Sequence, residues 1–293
     1  MESKVQRITS FIRTLLAQSL IPGDADDWHN LAVDVAREEC YNLACDILDA
    51  GLAVFPNNTD LLGDYLQYGI SCQRTEKCHQ YYNRLKQIPK IKYTWRGFHF
   101  SASWLRYLWE QCSDEQELQL LTDQLLELSA QYRKFFPNTE ECYLCESDIY
   151  KLIKDQKKEI KTLNIPISRA MPAPKCALRL ADYYFNSGNY LEAQKMVSRS
   201  LKDSNQVQHA VNVAYLYYLS GLIEISLLTQ PVDDSAILSI YEHFEKSLRL
   251  NIRSTLRDAI CQKVALLYRD HKVFIPEECS RLQDLLDAKD LLS

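Results

Sequence analysis

Residues 177 to 205 read ALRLADYYFNSGNYLEAQKMVSRSLKDSN. On either side of Gly188 the apolar residues recur three and four positions apart, Ala177, Leu180, Ala181 and Tyr184 before it and Tyr190, Ala193 and Val197 after it. That interval places them on one face of a helix. The small Ala181 and Ala193 let two antiparallel helices approach closely, while the larger residues fill the gap to a neighbouring pair.

The same period governs the rest of the chain. Leu118, Leu121, Leu125, Leu128, Tyr132 and Phe135 form a stripe that starts after the capping-type pair Ser113-Asp114. No comparable run alternates with the two-residue period of a strand, so the expected class is all-α. Helix stops also recur. Phe55-Pro56-Asn57-Asn58 and Phe136-Pro137-Asn138-Thr139 each end one helix and open the next, and Ile88-Pro89 ends another between them. Pro56 and Pro89 are 33 positions apart, close to the length of one helical hairpin. A self-similar stop signal implies an array.

Residues 177 to 205 resemble a tetratricopeptide repeat, with Gly188 at its tight turn. WHNLAVDVAREECYNLACDILDAGLAVFP, residues 28 to 56, fits with Trp28, Leu31, Ala32, Ala44, Leu48 and Pro56 in register. AVNVAYLYYLSG, residues 210 to 221, supplies Ala210, Val213, Ala214, Tyr217 and Gly221 as a further first helix, whose partner follows an insertion holding Pro231-Val232-Asp233-Asp234. Weaker matches begin near Leu62, Trp95 and Cys261. The resemblance implies an irregular α-solenoid of five or six antiparallel helical hairpins, a superhelix whose concave groove holds a partner. LNIPISRAMPAPK, residues 163 to 175, carries Pro166, Pro172 and Pro174, which favour extended backbone. We therefore expect two arrays, 1–165 and 175–293, joined by a linker at 166–174.

Composition narrows the function classes. Of the 293 residues 46% are hydrophobic and 25% charged, enough apolar material for a core. The net charge of −5 and pI of 5.7 oppose general nucleic-acid binding, which needs a basic surface. The most apolar stretch, Val211 to Leu228, is interrupted by Asn212 and Glu224, so no membrane insertion is expected. MESKVQRITS lacks the pattern of a secretory signal, which points to the cytoplasm. There the ten cysteines read as reduced and mostly buried thiols.

No enzymatic motif stands out. Cys142 and Cys145 form a C-x-x-C, but no second ligand pair matches it, and on a helix beginning near Thr139 both thiols fall on the buried face. The six histidines occur singly, and seven scattered glycines build no phosphate cradle. Lys154, Lys157, Lys158 and Lys161 read as a solvated helical stripe interleaved with Asp155 and Glu159. No cofactor, metal or catalytic residue is expected.

The candidate site lies in WRGFHFSASWLRYLW, residues 95 to 109. In the repeat register Trp95, Phe98, His99 and Ala102 face the paired helix as core, which leaves Arg96, Phe100 and Trp104 on the other stripe. The resemblance makes that stripe the concave one. Elsewhere the register puts His29, Val33 and Arg37, then Gln67 and Ile70, then Asp182 and Asn186, then Tyr215 and Tyr218 on it. Aromatic and Arg side chains supply binding energy when desolvated, so the expected partner contacts are Arg96, Phe100, Trp104, Tyr215, Tyr218, His29 and Arg37. The carboxylate clamp of some such arrays needs Lys and Asn where His29 and Val33 stand. The reading is a non-catalytic scaffold or adaptor that binds a protein or peptide in a multi-protein complex. The alternatives are a regulatory subunit or peptide sensor controlling a separate enzyme or DNA-binding protein, and an RNA-binding helical repeat.

Overall fold

The computed structural model describes residues 23–204, 210–228, 233–251 and 254–287, with Ser10, Ile12 and Thr14; among them are fourteen α-helices, two short 3-10 turns and no strand. The amino-terminal stretch read for a signal, and Pro231 and Val232 of the insertion, lie outside these residues. The chain divides into two compact units, Met1–Glu159 and Ile160–Ser293.

The first unit holds three hairpins: α1 (Ala25–Arg37) with α2 (Tyr41–Val54), α3 (Thr59–Ser71) with α4 (Thr75–Gln87), and α5 (Trp95–Gln111) with α6 (Glu115–Phe135). Helix α7 (Glu140–Leu152) packs on α5 and α6. The first helices of successive hairpins also pack on one another, α1 on α3, α3 on α5 and α5 on α7. Their starts are chemically alike. Asp24 accepts hydrogen bonds from the Asp26 and Asp27 amides, Asn58 from those of Asp60 and Leu61, and Thr94 from that of Gly97. Each cap satisfies amides that the helix itself leaves open. Four residues after these caps, and after Thr139 at the start of α7, stand Trp28, Leu62, Phe98 and Tyr143, all buried. The proline stops fall where the sequence puts them: Phe55, Ile88 and Phe136, each before a proline, are the C-caps of α2, α4 and α6.

The tight turns share one geometry. Glu39, Gln73, Lys154 and Gly188 all have positive φ, between 59° and 77°. The amide after each reaches back five residues, Cys40 to the Val35 carbonyl, Arg74 to Gly69, Asp155 to Tyr150 and Asn189 to Tyr184. This left-handed cap closes the helix and redirects the chain into its partner. Only one of the four is glycine, because two carbonyl bonds per turn hold the other residues in a conformation they disfavour. Positions 39 and 73 are 34 apart, and so are 154 and 188.

Helix α8 (Gln156–Ser168) corrects the start of the expected linker, since Pro166 lies inside it. Proline forfeits one amide near the helix end, yet its carbonyl still accepts the closing bond from the Met171 amide at 3.0 Å. Pro174 likewise opens α9 (Pro174–Asn186) at a position where no amide is needed. Lys154 belongs to the turn ahead of α8, apart from Lys157, Lys158 and Lys161 within it.

In the second unit α9 pairs with α10 (Tyr190–Asp203) and α11 (Ala210–Leu227) with α12 (Asp234–Leu250). Ala181, Ala193, Val197, Leu216, Leu219 and Ile223 join α9, α10 and α11 in one core. Tyr241, Phe244, Ile260, Leu267 and Leu282 join α12 to α13 (Ser254–His271) and α14 (Ser280–Asp287) in another. Gly221 is not a turn glycine. It sits within α11, where an added Cβ would come 2.5 Å from the Phe244 ring, so its missing side chain serves close packing of α12. By length and composition α11 is apolar enough to cross a membrane, but it is packed here between α10 and α12.

The turn geometry predicts opposite effects at two equivalent positions. Gly188→Ala should cost about 1 kcal/mol although nothing lies within 4 Å of the added methyl, because its φ is +77°. Gln73→Gly should stabilise by about 0.5 kcal/mol by relieving the same strain. Urea midpoints at unchanged slope measure both.

Candidate partner-binding surface

The caps fix the register of the first helices. Thr59 and Thr94 hydrogen-bond each other across α3 and α5, with the Thr94 amide donating to Thr59 Oγ1 at 3.1 Å. The Thr94 hydroxyl also donates to Asp60 at 2.8 Å. Counted from Thr94, Phe98 holds the place of Trp28 and Leu62, and Trp95 stands three residues ahead of it. On a helix of 3.6 residues per turn a three-residue slip rotates a face by about 60°. The aromatic positions are therefore redistributed.

Trp104 is the main correction: it is fully buried and stacked on Tyr107 at 5.5 Å between ring centres, so it belongs to the core. Phe98 is buried as expected, stacked on Tyr132 at 5.3 Å and flanked by Phe135 and Phe136. Trp95, expected in the core, is 37% exposed at the start of α5, with the Arg96 guanidinium 4.8 Å from its ring. Arg96 also lies 3.8 Å from Asp60 and stays about one-third exposed. Phe100 is half-buried against Gly63, where an added Cβ would meet the Arg96 carbonyl at 3.1 Å and the Phe100 ring at 3.3 Å. Trp95, Arg96 and Phe100 are thus brought together where α5 crosses α3 with almost no space between them.

His29 is also corrected, because it is buried and hydrogen-bonded through Nδ1 to the Asp64 carboxyl, which is buried too. Burial pushes the Asp64 carboxyl above its ordinary range, and the bond to His29 pulls the other way. The pair joins α1 to α3. Arg37 remains on the surface, bonded to Asp34 at 2.8 Å. Beyond it Tyr41 and Tyr68 stack at 6.1 Å, and Tyr68 feels the charges of both Arg37 and Arg96. Val33, Gln67 and Ile70 are half-buried. Arg106 of α5 bonds Asp148 of α7 at 3.4 Å. Three residues missed by the register, Trp95, Tyr68 and Arg106, were within reach of one that starts from the Asn58 and Thr94 caps.

The second unit repeats the device. Tyr215 is 38% exposed and donates from α11 to Asp182 of α9 at 2.9 Å. Burial raises the Asp182 carboxyl, while the Tyr215 bond lowers it. Tyr218 lies 6.1 Å from Tyr215 on one side and 6.1 Å from Phe244 on the other, so it is half core and half surface. Asn186 is exposed at the end of α9.

The C-x-x-C thiols sit on the buried face of α7, and burial pushes both up to about 12. Such thiols are mostly protonated at neutral pH and are poor ligands and nucleophiles. Among the described residues no group of three or more His, Cys, Asp or Glu is placed to hold a metal ion.

Solved structures share this fold. A thermophilic tetratricopeptide repeat protein of Thermus thermophilus superposes with a TM-score of 0.52 at 15% identity, covering 69% of this chain and 98% of its own. A tetratricopeptide repeat protein of Parabacteroides merdae superposes at 0.50 and 14% identity, covering 96% of this chain and 91% of its own. At these identities the likeness is one of fold, an irregular array of tetratricopeptide-like hairpins. No family model and no curated protein sequence matches the chain.

Burial of the indole sets the outcome at position 104. Trp104→Ala should destabilise by about 3–5 kcal/mol through the cavity it leaves, and Trp104→Glu should lower the melting temperature further by burying a charge. Thermal unfolding followed by circular dichroism reads both; unchanged melting would place Trp104 at the surface.

Proposed function

We propose that this chain, whose fold is that of tetratricopeptide repeat proteins, is a non-catalytic cytoplasmic scaffold that holds segments of a partner protein on the first helices of each unit taken by itself. In the first unit the contacts are Trp95, Arg96, Phe100 and Arg37, with Tyr41 and Tyr68 beside them; in the second they are Tyr215 and Tyr218. His29 and Trp104 are withdrawn because both are buried. We keep in this proposal a division of the chain into arrays 1–165 and 175–293 on either side of the proline-bearing stretch, although Pro166 itself is helical.

The observation that carries the reading is the Trp95 and Arg96 pair. An exposed indole with a guanidinium 4.8 Å from its ring, itself held by Asp60, is a preordered aromatic and cationic anchor of the kind that dominates interface energetics. Asp60 supports that geometry and leaves Arg96 one-third exposed. Preorganisation matters because an ordered side chain loses less entropy on binding. The fold of the structural neighbours supports a binding role in general terms and names no partner.

The test is affinity purification of the tagged protein from its native cell, beside a Trp95→Ala/Arg96→Glu double variant shown by circular dichroism to melt as wild type does. A protein recovered with the wild type should fall at least about tenfold with the variant, the loss expected for a hot-spot pair worth roughly 2 kcal/mol. Equal recovery overturns the assignment of this surface.

A further inference from the structure

Ten cysteines are free, and two of them touch across the boundary between the first two hairpins. Cys45 of α2 and Cys72, the C-cap of α3, are 27 positions apart in the chain and have their sulfur atoms 3.7 Å apart. The two thiols differ in access. Cys45 is completely buried, whereas Cys72 is only partly buried beside the left-handed turn at Gln73. Around them Arg74 is anchored to Asp46 at 2.8 Å and to the Asn42 carbonyl at 3.1 Å, which fixes the turn against α2. Cys78 of α4 is buried nearby, its sulfur held against Gly69 of α3, the residue whose carbonyl closes that turn.

We propose that Cys45 and Cys72 are a peroxide-oxidised dithiol, in which Cys72 meets the oxidant and Cys45 resolves it as a disulfide that ties α2 to the end of α3. The oxidant is hydrogen peroxide or an organic hydroperoxide. Cys72 attacks the distal peroxide oxygen, the O–O bond breaks, and the products are Cys72 sulfenic acid and water or an alcohol. Cys45 sulfur then attacks the Cys72 sulfur; the S–S bond forms as the S–O bond breaks, and the departing hydroxyl takes the Cys45 proton as a second water. Two thiols are oxidised by two electrons and one peroxide is reduced.

Access dictates this order of events. Burial pushes the Cys45 thiol well above its ordinary range, with the Cys72 sulfur adding to the effect and Arg74 opposing it, so Cys45 does not react with peroxide itself and attacks the Cys72 sulfur only as its proton passes to the departing hydroxyl. The two sulfurs stand 3.7 Å apart and must close to a bond of about 2 Å. The tie would hold the first hairpin against the second and restrict the opening of α2 from α3.

The experiment uses the reduced full chain and substoichiometric hydrogen peroxide. It is followed by alkylation in denaturant, digestion and mass spectrometry with and without reductant. The expected result is a reducible peptide pair joining Cys45 and Cys72 as the first oxidation product, with a rise in melting temperature that reductant reverses. In Cys45→Ala the pair should vanish and Cys72 should accumulate as a sulfenic acid trapped by dimedone. The proposal is overturned if the wild-type chain first links Cys72 to Cys78, or first oxidises the part-exposed Cys40, Cys112 or Cys261 while Cys45 and Cys72 stay alkylated. It is overturned too if Cys72 goes to sulfinic acid without a link. The wild-type result decides the matter even if Cys45→Ala folds poorly.

Discussion

A helical hairpin cannot bury both flanks of its apolar face, and in this chain that constraint governs nearly everything else. The first unit meets it by laying each first helix on the next, α1 on α3, α3 on α5 and α5 on α7. Where α3 and α5 cross, two positions carry no side chain. Gly63 faces Arg96 and Phe100, and Gly97 faces Thr59, where an added Cβ would come within 3.1 to 3.2 Å of its neighbours. Because the helices cannot separate without uncovering Leu62, Tyr65, Leu66 and Phe98, packing rather than helix propensity sets the architecture.

The same helices carry the candidate binding surface, so residues there serve two ends. His29 with Asp64, Thr59 with Thr94, Arg106 with Asp148, and in the second unit Tyr215 with Asp182, all bridge first helices. Such bonds satisfy polar groups that packing would otherwise strip of water. They also occupy the polar atoms that form them. In the proposed function, recognition falls to side chains that are positioned but incompletely enclosed, Trp95, Arg96 and Phe100 above all.

Cysteine placement follows from the same geometry. Cys142 and Cys145 share one helix face and become core, whereas Cys45 and Cys72 meet from different hairpins, the first fully and the second partly buried. Spacing along the chain drew attention to the first pair. The second pair, 27 positions apart, is joined only by the stacking of α2 on α3.

The sequence by itself determined the helical class, the helix ends at Phe55, Ile88 and Phe136, the α9 and α10 hairpin and the buried stripe of α6. All of these are local, set by proline, capping residues and a three-to-four residue period that each segment carries alone. Tertiary structure decided the rest. Left-handed turns at Glu39, Gln73 and Lys154 carry no glycine to announce them, since bonds formed after folding hold them. Pro166 stays helical because it falls where the helix is already ending. The faces of α5 were settled by the Thr59 and Thr94 contact, which no periodicity within residues 95 to 109 contains. With aromatic residues on every side of that helix, the choice between core and surface belonged to its neighbours, and they buried Trp104 and left Trp95 outside.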